Sequence, residues 1–114
     1  GQSSYHKYLH HMLELLDKLS KDRFLDKDFL FLVDVRTPEE FNSGSVDGAI
    51  NIPLSVLEQE LSQFKNKENI IVFCRSGARS GNAQIILQQH GFENVVNGGP
   101  WQNVQQALDE VKTI

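Results

Sequence analysis

Two short, continuous apolar runs dominate the hydrophobic pattern of this chain. Residues 29–35 read FLFLVDV, and residues 70–73 read IIVF. Runs of this length without polar alternation are typical of strands that are covered on both faces of a parallel sheet. Each run ends in polar residues, and each is followed by a helical pattern. The two runs therefore predict the central strands of an α/β domain.

The segment between these runs carries two capping signals and one short apolar stretch. Residues 37–40 combine a cap residue, a proline at the first helical position and a glutamate at capping-box spacing, which predicts a short helix. Ser55 and Glu58 repeat the capping-box spacing and predict another helix. Residues 49–52 are a brief apolar segment between the two signals. Strands and helices therefore alternate along the chain.

The carboxyl-terminal part continues the alternation. Residues 83–89 have a helical pattern, and Gly91 follows it as a left-handed cap. Residues 93–96 predict a short strand, residues 98–100 predict a sharp turn, and the apolar positions of residues 104–111 predict a closing helix. Strands joined by helix-length crossovers imply a central, mostly parallel sheet with helices on both faces and right-handed connections.

An amphipathic pattern precedes the first strand. We expect a helix over residues 4–20, because its apolar residues recur at steps of three and four: Leu9, Met12, Leu13, Leu16 and Leu19. We therefore expect residues 1–23 to contribute this amphipathic helix, which packs on the single domain formed by residues 24–114. His6 and His10 lie four residues apart, a spacing that suits a metal, but no cysteine accompanies them, and we interpret them as surface residues.

Composition limits the range of functions. The chain has 114 residues, with 39% hydrophobic and 23% charged positions, which fits one globular domain. A single cysteine excludes an internal disulfide and a multi-cysteine metal site. The net charge of −4 disfavours nucleic-acid and membrane-surface binding, and no apolar run is long enough for a membrane span. We expect a cytoplasmic protein, with the periplasm left open if a signal peptide has been removed.

The loop after the second apolar run carries the most informative chemistry. Cys74 begins the segment CRSGARS, which joins the carboxyl end of a strand to the start of a helix, where open α/β sheets bind ligands. Small residues let the backbone direct successive N–H groups into one concavity, and two arginines add positive charge. Such a loop would hold an anion and stabilise a thiolate. The predicted binding residues are Arg75, Ser76, Gly77, Ala78, Arg79 and Ser80.

Less specific interpretations exist for the same residues. A solitary cysteine at a strand end is often a small core residue, and arginines are often only solvated. Burial of Cys74, however, requires neither two arginines nor a run of small residues after it. We therefore favour a nucleophilic Cys74, while Trp101 is interpreted as a packing residue rather than as part of a substrate rim.

At this point the sequence resembles the single-domain rhodanese sulfurtransferases over most of its length. The motifs occur in the family's order: residues 33–41 (VDVRTPEEF), 48–53 (GAINIP), 74–80 (CRSGARS), 91–92 (GF) and 98–99 (GG). Each string alone is weak, but the ordered set is specific. One departure is clear, because Ser45 and Asp47 stand where many relatives have histidine and proline.

The resemblance implies an activity and a set of roles. Cys74 would carry sulfane sulfur as a persulfide, taken from thiosulfate or a related donor and passed to a thiol or to cyanide. The N–H groups of residues 75–80 would cradle the persulfide, and Arg79 would face the sulfonate end of the donor. Asp34 and Arg36 would either brace the first strand as a buried ion pair or lie beside the substrate. No cofactor and no metal is implied.

Two other functions remain open at the level of sequence. Phosphatases and arsenate reductases of related fold also use a cysteine in an anion-binding loop, but they place one residue more between cysteine and arginine. Four residues separate Cys74 from Arg79 here, a loop sized for a single sulfur atom. A rhodanese-like interaction module with an incidental cysteine is the other alternative. We expect a monomer or a weak homodimer that binds small molecules.

Overall fold

A computed structural model describes Met12, Glu14, Asp26 and residues 28–112 of the chain. Within these residues four parallel strands form one sheet in the order β2-β1-β3-β4. The strands are β1 (Leu30–Asp34), β2 (Ile50–Asn51), β3 (Asn69–Cys74) and β4 (Val95–Pro100). The two continuous apolar runs are the central strands β1 and β3, so the α/β prediction is confirmed.

Helical segments connect the strands. The α-helices are α1 (Pro38–Asn42), α2 (Ala78–Gln89) and α3 (Trp101–Lys112). Two 3₁₀-helices, Leu54–Gln59 and Leu61–Phe64, lie between β2 and β3.

Both faces of the sheet are covered, because successive residues of a strand point to opposite sides. One apolar cluster combines alternate strand residues with residues of α2 and the 3₁₀-helices: Phe31, Val33, Ile70, Val72, Cys74, Ala83, Leu87, Leu57 and Phe64. The other cluster combines the remaining strand residues with α3 and Met12: Leu30, Leu32, Ile71, Phe73, Val104, Ala107 and Leu108. The predicted arrangement of helices on both faces is therefore confirmed.

The capping box before α1 is present as predicted. Thr37 Oγ1 accepts a hydrogen bond from Glu40 N–H at 3.3 Å, and the Glu40 carboxylate accepts one from Thr37 N–H at 3.2 Å. At the end of α2, Gly91 has a positive φ of 93°, which fits its predicted role as a left-handed cap. These local signals fix the start of α1 and the end of α2.

Two local predictions are wrong. The capping box of Ser55 and Glu58 does not form: the helix there is 3₁₀, it begins at Leu54, and no side chain caps it. Residues 98–100 do not form a sharp turn but extend β4. Val72 pairs with Asn97 and Phe73 pairs with Gly99, so Gly98 is an extra residue that makes a bulge in the strand.

Most of the predicted helix over residues 4–20, including His6 and His10, lies outside the described residues. Met12 and Glu14 are helical, and Met12 is fully buried. The described part of the chain contains no helix whose length and hydrophobicity would allow it to cross a membrane.

Candidate active site

The site is built where β3 ends and α2 begins. Cys74 is the last residue of β3, and α2 starts four residues later at Ala78. The chain turns at Gly77, whose φ of 103° lies in the left-handed region that favours glycine. This turn directs the Gly77 N–H back toward the preceding strand. Its nitrogen lies 3.0 Å from Cys74 Sγ.

Two further groups contact the sulfur, both from Ser80 in the first turn of α2. The Ser80 N–H donates to Cys74 Sγ at 3.4 Å, and Ser80 Oγ lies 3.3 Å from the same sulfur. Gly77 and Ser80 therefore present two backbone amides and one hydroxyl to the sulfur. The amides come from the start of a helix, where the unpaired N–H groups and the helix dipole favour a negative charge.

This environment changes the acidity of the thiol. Burial raises the pKa of Cys74, because the interior disfavours a charged sulfur. Hydrogen bonds from the Ser80 side chain and from the N–H groups of Ser80, Gly77 and Ser76 act in the opposite direction and prevail, so the pKa lies below its ordinary value. A larger fraction of thiolate makes the sulfur a better nucleophile at neutral pH.

Cys74 is also a core residue, since it is fully buried and packs in the apolar cluster beneath α2. Its sulfur nevertheless contacts the loop rather than apolar side chains alone. Of the loop residues above it, Arg75, Ser76 and Ala78 are exposed, whereas Ser80 is fully buried. Cys74 thus lies in the apolar core and is also hydrogen-bonded to the loop.

Asn97 is a residue of the site that the sequence analysis did not identify. Its Oδ1 accepts hydrogen bonds from Ser80 Oγ at 2.7 Å and from Gly99 N–H at 2.9 Å. Its Nδ2 donates to the carbonyl oxygen of Gly77 at 3.2 Å. One amide side chain from β4 therefore fixes both the loop turn and the serine that contacts Cys74.

Arg79 has a partner that the sequence analysis also missed. The Arg79 guanidinium binds the Glu40 carboxylate with two nitrogens, at 2.6 and 2.9 Å. The pKa of Glu40 is lowered to about 2, mainly by the hydrogen bonds from Arg79 and secondly by the hydrogen bond from the Thr37 N–H. In return, Glu40 raises the pKa of Arg79, and the negative charges of Cys74 and Asp34 act in the same direction. Arg79 thus lies within the electrostatic reach of the sulfur.

Asp34 and Arg36 form a buried ion pair. Arg36 Nε lies 3.0 Å from both carboxylate oxygens of Asp34, and its Nη2 lies 2.7 Å from Oδ2. Ser45 Oγ donates to Asp34 at 2.7 Å, and Arg36 also donates to the carbonyl of Gly44 at 2.6 Å. Ser45 therefore completes this network.

Trp101 lies beside the same network. The Arg36 guanidinium carbon lies 5.4 Å from the centre of the Trp101 ring, a cation–π geometry. Trp101 packs against the cluster that contains α3, as expected for a packing residue. Among the described residues, no group of three histidine, cysteine or acidic side chains is arranged to hold a metal.

Fold and site together place this chain among the α/β proteins that carry a hydrogen-bonded cysteine between a parallel strand and a helix. The sequence of residues 12–100 matches the family model of the rhodanese-like domain. The chain therefore belongs to the rhodanese-like domain family.

Individual relatives agree with this assignment. A sulfurtransferase of Allochromatium vinosum is 35% identical over 75 residues, which cover 66% of this chain and 70% of the relative. Thiosulfate sulfurtransferase PspE of Escherichia coli is 35% identical over 82 residues, which cover 70% of this chain and 77% of the relative. A solved rhodanese with anions from E. coli has a TM-score of 0.60 at 34% identity, covering 65% of this chain and 89% of that one. The relatives support a sulfurtransferase activity in general.

Proposed function

We propose that the protein moves sulfane sulfur from thiosulfate or a related donor to a thiol or cyanide, through a persulfide on Cys74. The observation that carries the proposal is the set of amide and hydroxyl contacts to Cys74 Sγ from Gly77 and Ser80. These groups favour a thiolate and would also stabilise a persulfide anion. Arg75 and Ser76, which are exposed, complete the proposed donor-binding loop with Ala78 and Arg79.

The first half-reaction is a displacement at sulfur. The Cys74 thiolate attacks the outer sulfur of thiosulfate, and a sulfur–sulfur bond forms while the bond to the sulfonate sulfur breaks. Sulfite leaves with the electron pair, and the enzyme keeps a persulfide with one negative charge. No general base is required, because the thiolate is already the nucleophile.

The second half-reaction returns the enzyme to its starting state. A thiolate or cyanide attacks the outer sulfur of the persulfide, and Cys74 leaves as a thiolate. The products are a new persulfide or thiocyanate. The amide donors oriented toward Cys74 Sγ stabilise the thiolate, which is the nucleophile of the first step and the leaving group of the second.

Access to the sulfur requires a movement of the loop. Cys74 has no exposed surface in this structure, whereas Arg75, Ser76 and Ala78 above it are exposed. We assign the movement to this segment, since the strand beneath it is buried on both faces.

The names of the relatives support the chemistry: PspE is a thiosulfate sulfurtransferase, and the E. coli rhodanese was solved with anions.

A thiosulfate:cyanide assay with the wild-type chain and Cys74→Ser in parallel tests the proposal. We expect thiocyanate from the wild type and none above background from Cys74→Ser. Mass spectrometry after thiosulfate treatment should show the mass of one added sulfur atom on Cys74. Ping-pong kinetics should accompany turnover, because the persulfide is a covalent intermediate.

The alternatives give different results in the same experiment. An interaction module would gain no sulfur on Cys74 with thiosulfate or with a glutathione-derived donor. A phosphatase of related fold would hydrolyse an aryl phosphate at a rate comparable to the rate of thiosulfate turnover. Either result would overturn the proposal, as would normal turnover by Cys74→Ser.

A further inference from the structure

The guanidinium of Arg79, the loop arginine predicted to bind the donor's anionic end, is already occupied. Glu40 Oε1 and Oε2 accept hydrogen bonds from its two terminal nitrogens at 2.6 and 2.9 Å. Bidentate pairing of this kind uses two N–H groups at one edge of the guanidinium, the same groups with which an arginine binds a sulfonate or phosphate. Glu40 therefore occupies the edge of the guanidinium at which an anionic ligand would pair with both terminal nitrogens of Arg79.

Glu40 is held in that position from its other side. Its Oε1 also accepts hydrogen bonds from the N–H and the hydroxyl of Thr37, each at 3.2 Å. The carboxylate is thus fixed at the start of α1 instead of being free to rotate away from Arg79. A pKa of about 2 keeps it ionised throughout the neutral range.

A negative charge fixed beside the loop has different effects on different donors. Thiosulfate is a small dianion whose sulfonate would have to displace Glu40 from Arg79 or share the guanidinium with it. The persulfide of an organic thiol, R–S–SH, has no sulfonate and does not require the guanidinium. Glu40 therefore weakens the binding of the first class of donor more than that of the second.

We infer that Glu40 is a specificity-determining residue, which competes with small dianionic donors for Arg79 and thereby favours organic persulfides as sulfur donors. This inference deepens the proposed sulfur transfer and rests on it. With a persulfide donor, the Cys74 thiolate attacks the terminal sulfur and the sulfur–sulfur bond of R–S–SH breaks. The thiolate R–S⁻ leaves with the electron pair, and the enzyme persulfide keeps the proton as Cys74–S–SH.

Glu40→Gln is the variant that tests this role. Glutamine keeps the size of the side chain and can still cap Thr37, because capping boxes accept either residue. We expect the KM for thiosulfate to fall about threefold to tenfold, in keeping with removal of one partly exposed, charge-assisted pair. The KM for 2-hydroxyethyl persulfide, whose organic part is uncharged, should stay the same. Equal changes for both donors, or none for thiosulfate, would overturn the inference.

Two controls separate a specific effect from a general change of charge. Glu39→Gln removes the same charge from the neighbouring position of α1, where the side chain is exposed. We expect it to leave both KM values unchanged. In an Arg79→Ala background, Glu40→Gln should no longer lower the KM for thiosulfate, because the guanidinium for which Glu40 and the donor compete is missing. A persisting effect in that background would contradict competition for Arg79.

A binding measurement separates this inference from the proposed function. In a Cys74→Ser protein, which cannot form a persulfide, calorimetry should show that Glu40→Gln tightens sulfate binding about threefold to tenfold. If this occurs but no donor persulfidates the wild type, competition by Glu40 stands and the proposed function fails. If donors persulfidate Cys74 but sulfate binds equally well with and without Glu40, the function stands and the competition fails.

Discussion

Ser80 donates its hydroxyl hydrogen to Asn97 Oδ1 across a distance of 2.7 Å, while its oxygen lies 3.3 Å from the sulfur of Cys74. A hydroxyl has one hydrogen and two acceptor positions. When Cys74 is a thiol, the sulfur can donate to Ser80 while Ser80 donates to Asn97. When Cys74 is a thiolate, the hydroxyl can turn toward the sulfur, and Asn97 still accepts from Gly99 N–H. Ser80 can therefore serve both charge states.

Ser80→Ala should raise the pKa of Cys74, because it removes the hydroxyl contact that lowers this pKa. Iodoacetamide alkylation of Cys74 as a function of pH measures the change, and its midpoint should shift to higher pH. The backbone N–H of residue 80 remains, so the shift should be partial. We expect a loss of about 1 kcal/mol in the free energy of unfolding, the usual size for one buried hydrogen bond.

Ser76→Ala is the matched control for this substitution. The Ser76 side chain is exposed, and only its backbone N–H takes part in lowering the pKa of Cys74. Its alkylation midpoint should match that of the wild type. If Ser80→Ala and Ser76→Ala alkylate with the same pH profile, the role assigned to the Ser80 hydroxyl is wrong.

The ion pair between Glu40 and Arg79 should make stability depend on pH in the acid range. The pKa of Glu40 in the folded protein is lowered from 4.5 to about 2. A lowered folded-state pKa gives stability that is complete above the unfolded value and is lost as the pH falls toward the folded value. The melting temperature of the wild type should therefore be higher than that of Glu40→Gln above pH 4.5. This difference should disappear as the pH falls from 4.5 to about 2. A difference that grows toward acid pH would contradict the assignment.

Breaking the buried ion pair of Asp34 and Arg36 should destabilise the fold strongly. Arg36→Met leaves a carboxylate in the interior, with Ser45 Oγ and one backbone N–H as its remaining partners. Loss of one member of a buried pair typically costs about 3–5 kcal/mol, and urea unfolding should show a loss near the lower end.

Asp34→Asn in the Arg36→Met background provides the check. It removes the unpaired buried charge, so the double variant should lose less free energy of unfolding than the sum of the losses of the two single variants. Additive effects would show that the pair does not act as a unit. Recovery of stability without recovery of sulfur transfer would instead support the other sequence-based hypothesis, in which Arg36 lies beside the substrate.

Two glycines should respond to alanine in opposite ways. A Cβ at Gly98 would lie 2.6 Å from Val104 Cγ2 and 3.0 Å from Ile71 Cγ2, so Gly98→Ala should lower the free energy of unfolding by about 1–3 kcal/mol. A Cβ at Gly81, inside α2, meets only Asn97 Nδ2 at 3.4 Å, an ordinary contact. Gly81→Ala should stabilise the protein by about 0.5–1 kcal/mol through helix propensity. Urea unfolding of both variants measures these effects. Equal free energies of unfolding for the two variants would contradict the close packing of Gly98 against Val104 and Ile71.

Local patterns predicted the parts of this fold that depend on local interactions. The runs at residues 29–35 and 70–73 became β1 and β3, because a strand that is covered on both faces has apolar residues at successive positions. The capping box of Thr37 and Glu40 formed, since all its hydrogen bonds lie within four residues. The loop after Cys74 was identified for the same reason: its turn and amide donors are local to residues 74–80.

The missed features depend on contacts between distant segments. Glu40 and Arg79 are separated by 39 positions, and no periodicity links them. Asn97 reaches the site only because β4 pairs with β3 and bulges at Gly98. The same bulge explains why residues 98–100 continue a strand, although glycine and proline usually indicate a turn. The capping pattern of Ser55 gave way to a 3₁₀-helix that places Leu57 in the core.

The complete burial of Cys74 has a consequence for handling the purified protein. A disulfide between two copies would require their sulfur atoms to approach to about 2 Å, with the two backbones about 4.4–6.8 Å apart at Cα. A sulfur without accessible surface cannot meet these distances while the loop is closed. Storage in air, without a reducing agent, should therefore leave the chain free of covalent dimers.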